Sequence, residues 1–283
     1  MKRINIMVKK RLLMLFIASY SIMLNAQYSI LEANLEKAVL IEFPNKSDGS
    51  GFFLVDSNNI YLVSARHVVC NLNEKIQGYQ LIDSTGFIKY YSKKSDNNTA
   101  NVMEINFLGL YESGNLRIGS DADVMVAKIG SVKRSLSQAF DIVYNSYVKF
   151  VKSPEPLIAF DVTEALKFDS TVISDDIFMI GYPKSLQLQQ GLQYDFDRPL
   201  LRKGILSGRY QKNKTLVVDC PSFSGNSGGP VIEIRNNKVL LVGIVTQFIP
   251  CIESSKSFEI RQNSGFSIIE TIDKVLFISK IFK

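Results

Sequence analysis

The stretch that decides the fold is Gly225-Asn226-Ser227-Gly228-Gly229-Pro230, followed at once by the apolar run Val231-Ile232-Glu233-Ile234. Two glycines and a proline after a small polar residue predict a tight turn that feeds a buried strand. Glycine adopts the left-handed backbone conformations that other residues resist. A turn of this kind aims successive backbone N–H groups at a point in front of the Ser227 side chain. The Gly225-Asn226-Ser227 backbone is therefore a candidate oxyanion hole, through the amides of Gly225 and Ser227, and the Ser227 hydroxyl a candidate nucleophile. The competing reading is a plain hairpin turn.

A serine nucleophile needs a base, most often histidine. The chain has one, His67, in Leu62-Val63-Ser64-Ala65-Arg66-His67-Val68-Val69, where an apolar strand ends in a small-residue turn and a short helix begins. The base needs a carboxylate to fix its tautomer. Asp123, in Asp121-Ala122-Asp123-Val124-Met125-Val126-Ala127, stands at the mouth of an apolar strand; Asp121, two residues earlier, is its rival.

The order His, Asp, Ser, with Ser-Ala-Arg-His, Asp-Val-Met-Val and Gly-Asn-Ser-Gly-Gly-Pro, resembles the trypsin/chymotrypsin-like serine peptidases, and among them the bacterial high-temperature-requirement type. Gly49-Ser50-Gly51-Phe52, Met179-Ile180-Gly181-Tyr182-Pro183 and Lys203-Gly204-Ile205-Leu206-Ser207-Gly208 agree, so the resemblance runs from about residue 40 to about residue 246. It implies an all-β fold of two six-stranded antiparallel β-barrels with the site at their seam. It also implies an endopeptidase acting through His67, Asp123 and Ser227, a protein or peptide substrate laid along Thr246, Gln247 and Phe248, and no cofactor. Trypsin-like peptidases often bridge two cysteines placed like Cys220 and Cys251, which would leave Cys70 free; three buried, reduced cysteines are the other reading. One histidine and three scattered cysteines lack the spacing of a metal site.

Two departures from the family pattern matter. Asn226 stands where trypsin has an aspartate that pairs with a newly cut N-terminus, so activation by that ion pair is not expected. Pro221-Ser222-Phe223, where a trypsin-like pocket would have its floor, holds no acid, which argues against a Lys or Arg preference; a small or aliphatic residue fits better, with Phe248 narrowing the mouth. No second peptide-binding module is expected after the peptidase.

The N-terminus has the pattern of an export signal. Lys2, Arg3, Lys9, Lys10 and Arg11 precede the apolar run Leu12–Leu24, and small Ala26 precedes Gln27. The run is short for a bilayer span, which takes roughly 20 residues; an uncleaved anchor is the alternative. Those five cations supply all but one unit of the formal net charge of +6, so the remainder carries no electrostatic footprint for nucleic acid. The predicted organisation is thus a signal over 1–26, a β-barrel with His67 and Asp123 over 27–150, and a β-barrel with Ser227 over 151–283. The last ends in a helix from Ser267 to Phe282 packed on the second barrel. The product would be secreted or periplasmic, with no membrane contact after signal removal. A pseudopeptidase that binds peptides in the same cleft, and an esterase of the same mechanism, are the rival functions.

Overall fold

The computed structural model describes residues 33–44, 46–75, 77–91, 100–134, 140–151, 156–184, 195, 198–254 and 259–282. The expected signal over 1–26 lies outside the described residues.

The first half supplies β1 (Ala38–Phe43), β2 (Ser47–Val55), β3 (Asn59–Ser64), β4 (Cys70–Asn73), β5 (Gly78–Leu81), β6 (Thr85–Tyr90), β7 (Asn101–Asn106), β8 (Leu116–Ile118), β9 (Met125–Arg134), β10 (Phe140–Tyr144), β11 (Val148–Phe150) and β12 (Ala159–Asp161). Ten of these form one sheet, in the order β10-β9-β3-β2-β1-β6-β7-β11, with β8 on β9 and β12 on β2; β4 and β5 pair separately. The path does not return on itself among the described residues, so this half is a curled sheet with more strands than the six expected. Only β12 joins it in parallel, from beyond the expected boundary at residue 150.

The second half supplies β13 (Asp176–Gly181), β14 (Leu200–Tyr210), β15 (Thr215–Asp219), β16 (Pro230–Arg235), β17 (Lys238–Ser254) and β18 (Glu259–Thr271). These close as a six-stranded barrel, β13-β14-β15-β18-β17-β16, through the antiparallel pairing of β16 with β13. Closure removes the unpaired edges that an open sheet would expose.

Among the short helices between and after the strands are α1 (Arg66–Val69), α2 (Phe107–Glu112) and α3 (Ile272–Ser279). α1 is the helical turn expected after His67, but it ends before Cys70, which opens β4. The terminal helix starts later than its apolar periodicity predicts. Ser267–Thr271 remain strand because β18 must pair with both β15 and β17 to close the barrel. α3 also serves both halves rather than the second alone. Its buried Ile272, Val275 and Ile278 belong to the large core that joins the first sheet to barrel residues such as Ile180, Ile232 and Ile244, and Phe282 lies 5.7 Å, ring to ring, from Tyr61.

The Cys220–Cys251 bridge is absent: all three cysteines are free. Cys220 directly follows β15 with its side chain in the barrel core, while Cys251 lies far out on the β17–β18 ribbon, paired with Gln262 and exposed. Burial pushes the Cys70 and Cys220 thiols up to about 11, which keeps them protonated and unreactive at neutral pH. A thiol titration of the native protein with a disulfide reagent should therefore consume one equivalent per chain, at Cys251, and three after unfolding.

Candidate active site

The glycine turn is built as its sequence suggests. Gly225 and Gly228 have φ of +94° and +84°. A Cβ on Gly225 would lie 2.1 Å from the Tyr182 carbonyl oxygen, and one on Gly228 2.2 Å from that of Ser50. Neither position therefore accepts a side chain, on grounds of φ and of space.

Ser227 itself is held by its backbone. Its carbonyl accepts the Ser50 N–H at 2.8 Å, and the next amide, of Gly228, donates to Val245 at 2.7 Å. Ser50 ties the two halves together. Its hydroxyl donates to the Gly225 carbonyl at 2.6 Å and accepts the Tyr182 N–H at 3.0 Å, while its own carbonyl accepts the Ser64 hydroxyl at 2.7 Å. The same contacts place the turn against the His67 segment: a Cβ on Gly228 would stand 2.8 Å from the Ala65 nitrogen, and one on Gly49 2.6 Å from Val68 and 3.1 Å from the Ser227 carbonyl oxygen.

Two amides of the turn are left over. The Ser224 carbonyl accepts the Lys184 N–H at 2.8 Å, and the Asn226 carbonyl accepts that of Gly229 at 2.9 Å. In a planar trans peptide the N–H points opposite to the C=O, so the amides of Gly225 and Ser227 point away from those partners, and neither donates to a group among the described residues. The Asn226 amide differs: it donates to the Phe223 carbonyl at 3.0 Å, which removes it from the expected oxyanion set. The Asn226 side chain is buried and reaches Met179 Sδ at 3.7 Å.

Asp123, not Asp121, meets the histidine. Its Oδ2 is 2.6 Å from His67 Nδ1, and its Oδ1 accepts the His67 backbone N–H at 3.0 Å; Asp121 is exposed. Burial alone would raise the Asp123 pKa, but the hydrogen bonds and charge of His67, with the Arg66 guanidinium, outweigh it and hold the carboxyl below its ordinary value. The His67 and Ser227 side chains are not hydrogen-bonded to each other here. Such bonds are often long in ligand-free sites and tighten when substrate arrives.

Three supporting residues had no role assigned from the sequence. Arg66 lies inside the Ser-Ala-Arg-His motif, and its Nη1 donates to the carbonyls of Gly119 (2.5 Å), Ala122 (3.0 Å) and Ser120 (3.4 Å), with its guanidinium 3.9 Å over the Tyr79 ring. It thereby fixes the segment that presents Asp123. Glu270, buried on β18, accepts the Asp123 N–H at 3.3 Å and is paired with Lys274. Ser50, the bridge described above, is the third. Arg66 and Ser50 sit inside motifs already visible, but their role is a matter of long-range contact that a sequence does not display. The segment that ends in Glu270 carries no motif.

The expected substrate segment follows Val245 on β17. Strand β16 pairs only as far as Ile244 and β18 holds the other side, so from Thr246 outward one edge of β17 is unpaired among the described residues. Thr246 is buried, its hydroxyl donating to the Ile268 carbonyl at 3.2 Å; Gln247 and Phe248 are exposed. In the expected pocket floor, Ser222 is buried, its hydroxyl 2.8 Å from that of Ser267.

A family model for the trypsin-like peptidase domain matches residues 49–244. The chain belongs to that family. Among solved structures, Deg5 superposes on the peptidase with a TM-score of 0.52 at 17 % identity, covering 89 % of this chain and 91 % of that one. AlgW, an HtrA-type protease solved with a tripeptide, gives a TM-score of 0.50 at 17 % identity, covering 89 % of this chain. The chain spans 61 % of AlgW and 62 % of a serine endoprotease from Yersinia pestis, which matches at 16 % identity with a TM-score of 0.46. The likenesses to Deg5 and AlgW establish a shared fold. A search of the curated proteins gives no significant match.

Proposed function

We propose that the protein is an exported serine endopeptidase that hydrolyses peptide bonds through an acyl-enzyme. The observation that carries the reading is the combination, in a trypsin-like peptidase domain, of an Asp123–His67 pair at 2.6 Å with a neighbouring Ser227 turn whose two outer amides are unspent. Ser227 Oγ attacks the substrate carbonyl while His67 Nε2 takes its proton. The oxyanion settles on the Gly225 and Ser227 amides, each contributing about 10²–10³ in rate. His67 then gives its proton to the leaving amine, and water repeats the sequence to release the acid. Asp123 holds Nδ1 protonated throughout.

The substrate adds as a strand to the free edge of β17 at Thr246–Phe248, by backbone hydrogen bonds. Residues 221–223 contribute no charge to the pocket, which favours a small or aliphatic residue before the scissile bond, and the exposed Phe248 ring crowds its entrance. Export rests on the basic and apolar pattern of the first 26 residues; among the described residues no helix is long and apolar enough to cross a membrane. A fluorophosphonate probe tests the reading, since it phosphonylates a serine only where base and oxyanion hole activate it. Labelling is expected on Ser227 alone. An unlabelled folded protein would instead mark a pseudopeptidase that binds peptides in the same cleft.

A further inference from the structure

The segment that leads to Asp123 also forms one wall of an open cavity of about 760 Å³, within the size range of small-molecule sites. The turn between β14 and β15 and the helix α3 supply the other walls. Neither His67, Asp123 and Ser227 nor the substrate segment lines it, so it is separate from the proposed catalytic cleft.

Its chemistry is two-sided. Ile118, Phe277 and Ile278 give an apolar surface, and Phe277 is 71 % exposed although α3 buries Ile272, Val275, Ile278 and Ser279. An aromatic ring left this open on a packed helix forgoes the favourable transfer of its apolar area out of water. Beside it, Arg117, Lys212 and Lys214 are exposed and enter no ion pair among the described residues. Lys274 is neutralised by Glu270, so three unpaired cations face two carboxylates in the walls, Asp121 and Asp273, the second of which is turned to accept the Phe168 N–H at 2.7 Å. Cations in excess beside an uncovered apolar surface are complementary to a ligand that carries a negative head and an apolar tail.

We propose that this cavity binds a small amphiphilic anion, a free monomeric carboxylate with an unbranched hydrocarbon tail. Arg117, Lys212 and Lys214 hold the carboxylate, and the tail lies against Ile118, Phe277 and Ile278. The site adjoins the catalytic carboxylate structurally: the carbonyls of Gly119, Ser120 and Ala122, all in its wall, are the ones that grip Arg66, and Lys274 pairs with the Glu270 that receives the Asp123 amide.

The test is a calorimetric titration of the full chain with decanoate, kept below the concentration at which it forms micelles. Saturable one-to-one binding is expected. Decanol, which lacks the charge, and acetate, which lacks the tail, should each bind at least about tenfold more weakly, a step of about 1.4 kcal/mol. Arg117→Glu, Lys212→Glu and Phe277→Ser should each weaken decanoate by a similar factor, with unfolding curves confirming that each variant is folded. Equal affinity for decanol, or unchanged affinity in both charge reversals, would overturn the proposal. So would binding to anionic lipid vesicles with none to monomeric decanoate, which would make the face a membrane contact. The readout is binding alone, so it stands or falls independently of the peptidase reading.

Discussion

Ser227→Ala should lower kcat on a casein or peptide substrate by on the order of 10⁶, with a residue of catalysis left from the oxyanion amides and substrate binding. The loss is this large because the hydroxyl is the only atom removed and it is the attacking one. It should also be selective. The Ser227 hydroxyl makes no hydrogen bond among the described residues, and the contacts that seat the residue run through its carbonyl to Ser50 and through the neighbouring amides. Removing Oγ therefore orphans no buried partner, and stability should stay within about 0.5 kcal/mol of wild type. The double variant Ser227→Ala/His67→Ala should be no slower than either single change, because nucleophile and base act as one unit. Activity retained in Ser227→Ala, or losses that multiply in the double variant, would remove Ser227 from the chemistry.

What could be read from the residues, and what could not, divides along burial. The turn at Gly225–Pro230, the strand that ends at His67 and the strand that begins after Asp123 are all written in apolar runs and glycines, because each is packed on a core that dictates its pattern. The ribbon made by the outer parts of β17 and β18 has no such pattern. Glu259-Ile260-Arg261-Gln262-Asn263-Ser264 alternates weakly and lies mostly exposed, so nothing in it announces a strand, and its pairing with Pro250–Ser254 is set by the partner strand. Ser267–Thr271 misled in the opposite way. Their apolar residues fit a helical period together with those of α3, but the barrel needed a sixth strand, and tertiary closure overrode local spacing. The expected disulfide failed for the same reason. Cys251 sits on the ribbon that the sequence did not reveal, far out from the core position of Cys220. At the site, the three catalytic candidates were legible as residue types in a familiar order. The clamps around them were not. Arg66 earns its place by three carbonyls more than fifty residues away, and Glu270 by one amide on the opposite half of the molecule.

Asp123→Asn should cost about 10⁴ in kcat at neutral pH, the scale set by removing the charge from a Ser-His-Asp triad while keeping its shape. The hydrogen-bond geometry gives the reason. The His67 backbone N–H lies 3.0 Å from Oδ1 and must have an acceptor, and the Arg66 Nε lies 4.0 Å from the same oxygen. The amide oxygen of the introduced asparagine will take that position, which turns its NH₂ toward Nδ1. An NH₂ there donates, so Nδ1 must accept and the proton moves to Nε2, the nitrogen that has to receive the serine proton. The variant is thus folded but holds the wrong tautomer. Its stability profile should change in a defined direction. Because the Asp123 carboxyl is held below its ordinary value in the folded protein, its charge stabilises the fold fully above the unfolded pKa of about 3.9. That contribution fades as the pH falls through the lower folded value. The part of the difference in unfolding free energy between wild type and Asp123→Asn that comes from this charge should therefore shrink below that range. Asp121→Asn, with no histidine contact, should leave both kcat and the acid limb unchanged. A matching loss in Asp121→Asn, or full activity in Asp123→Asn, would mean that the carboxylate at 2.6 Å from Nδ1 does not set the tautomer on which the mechanism depends.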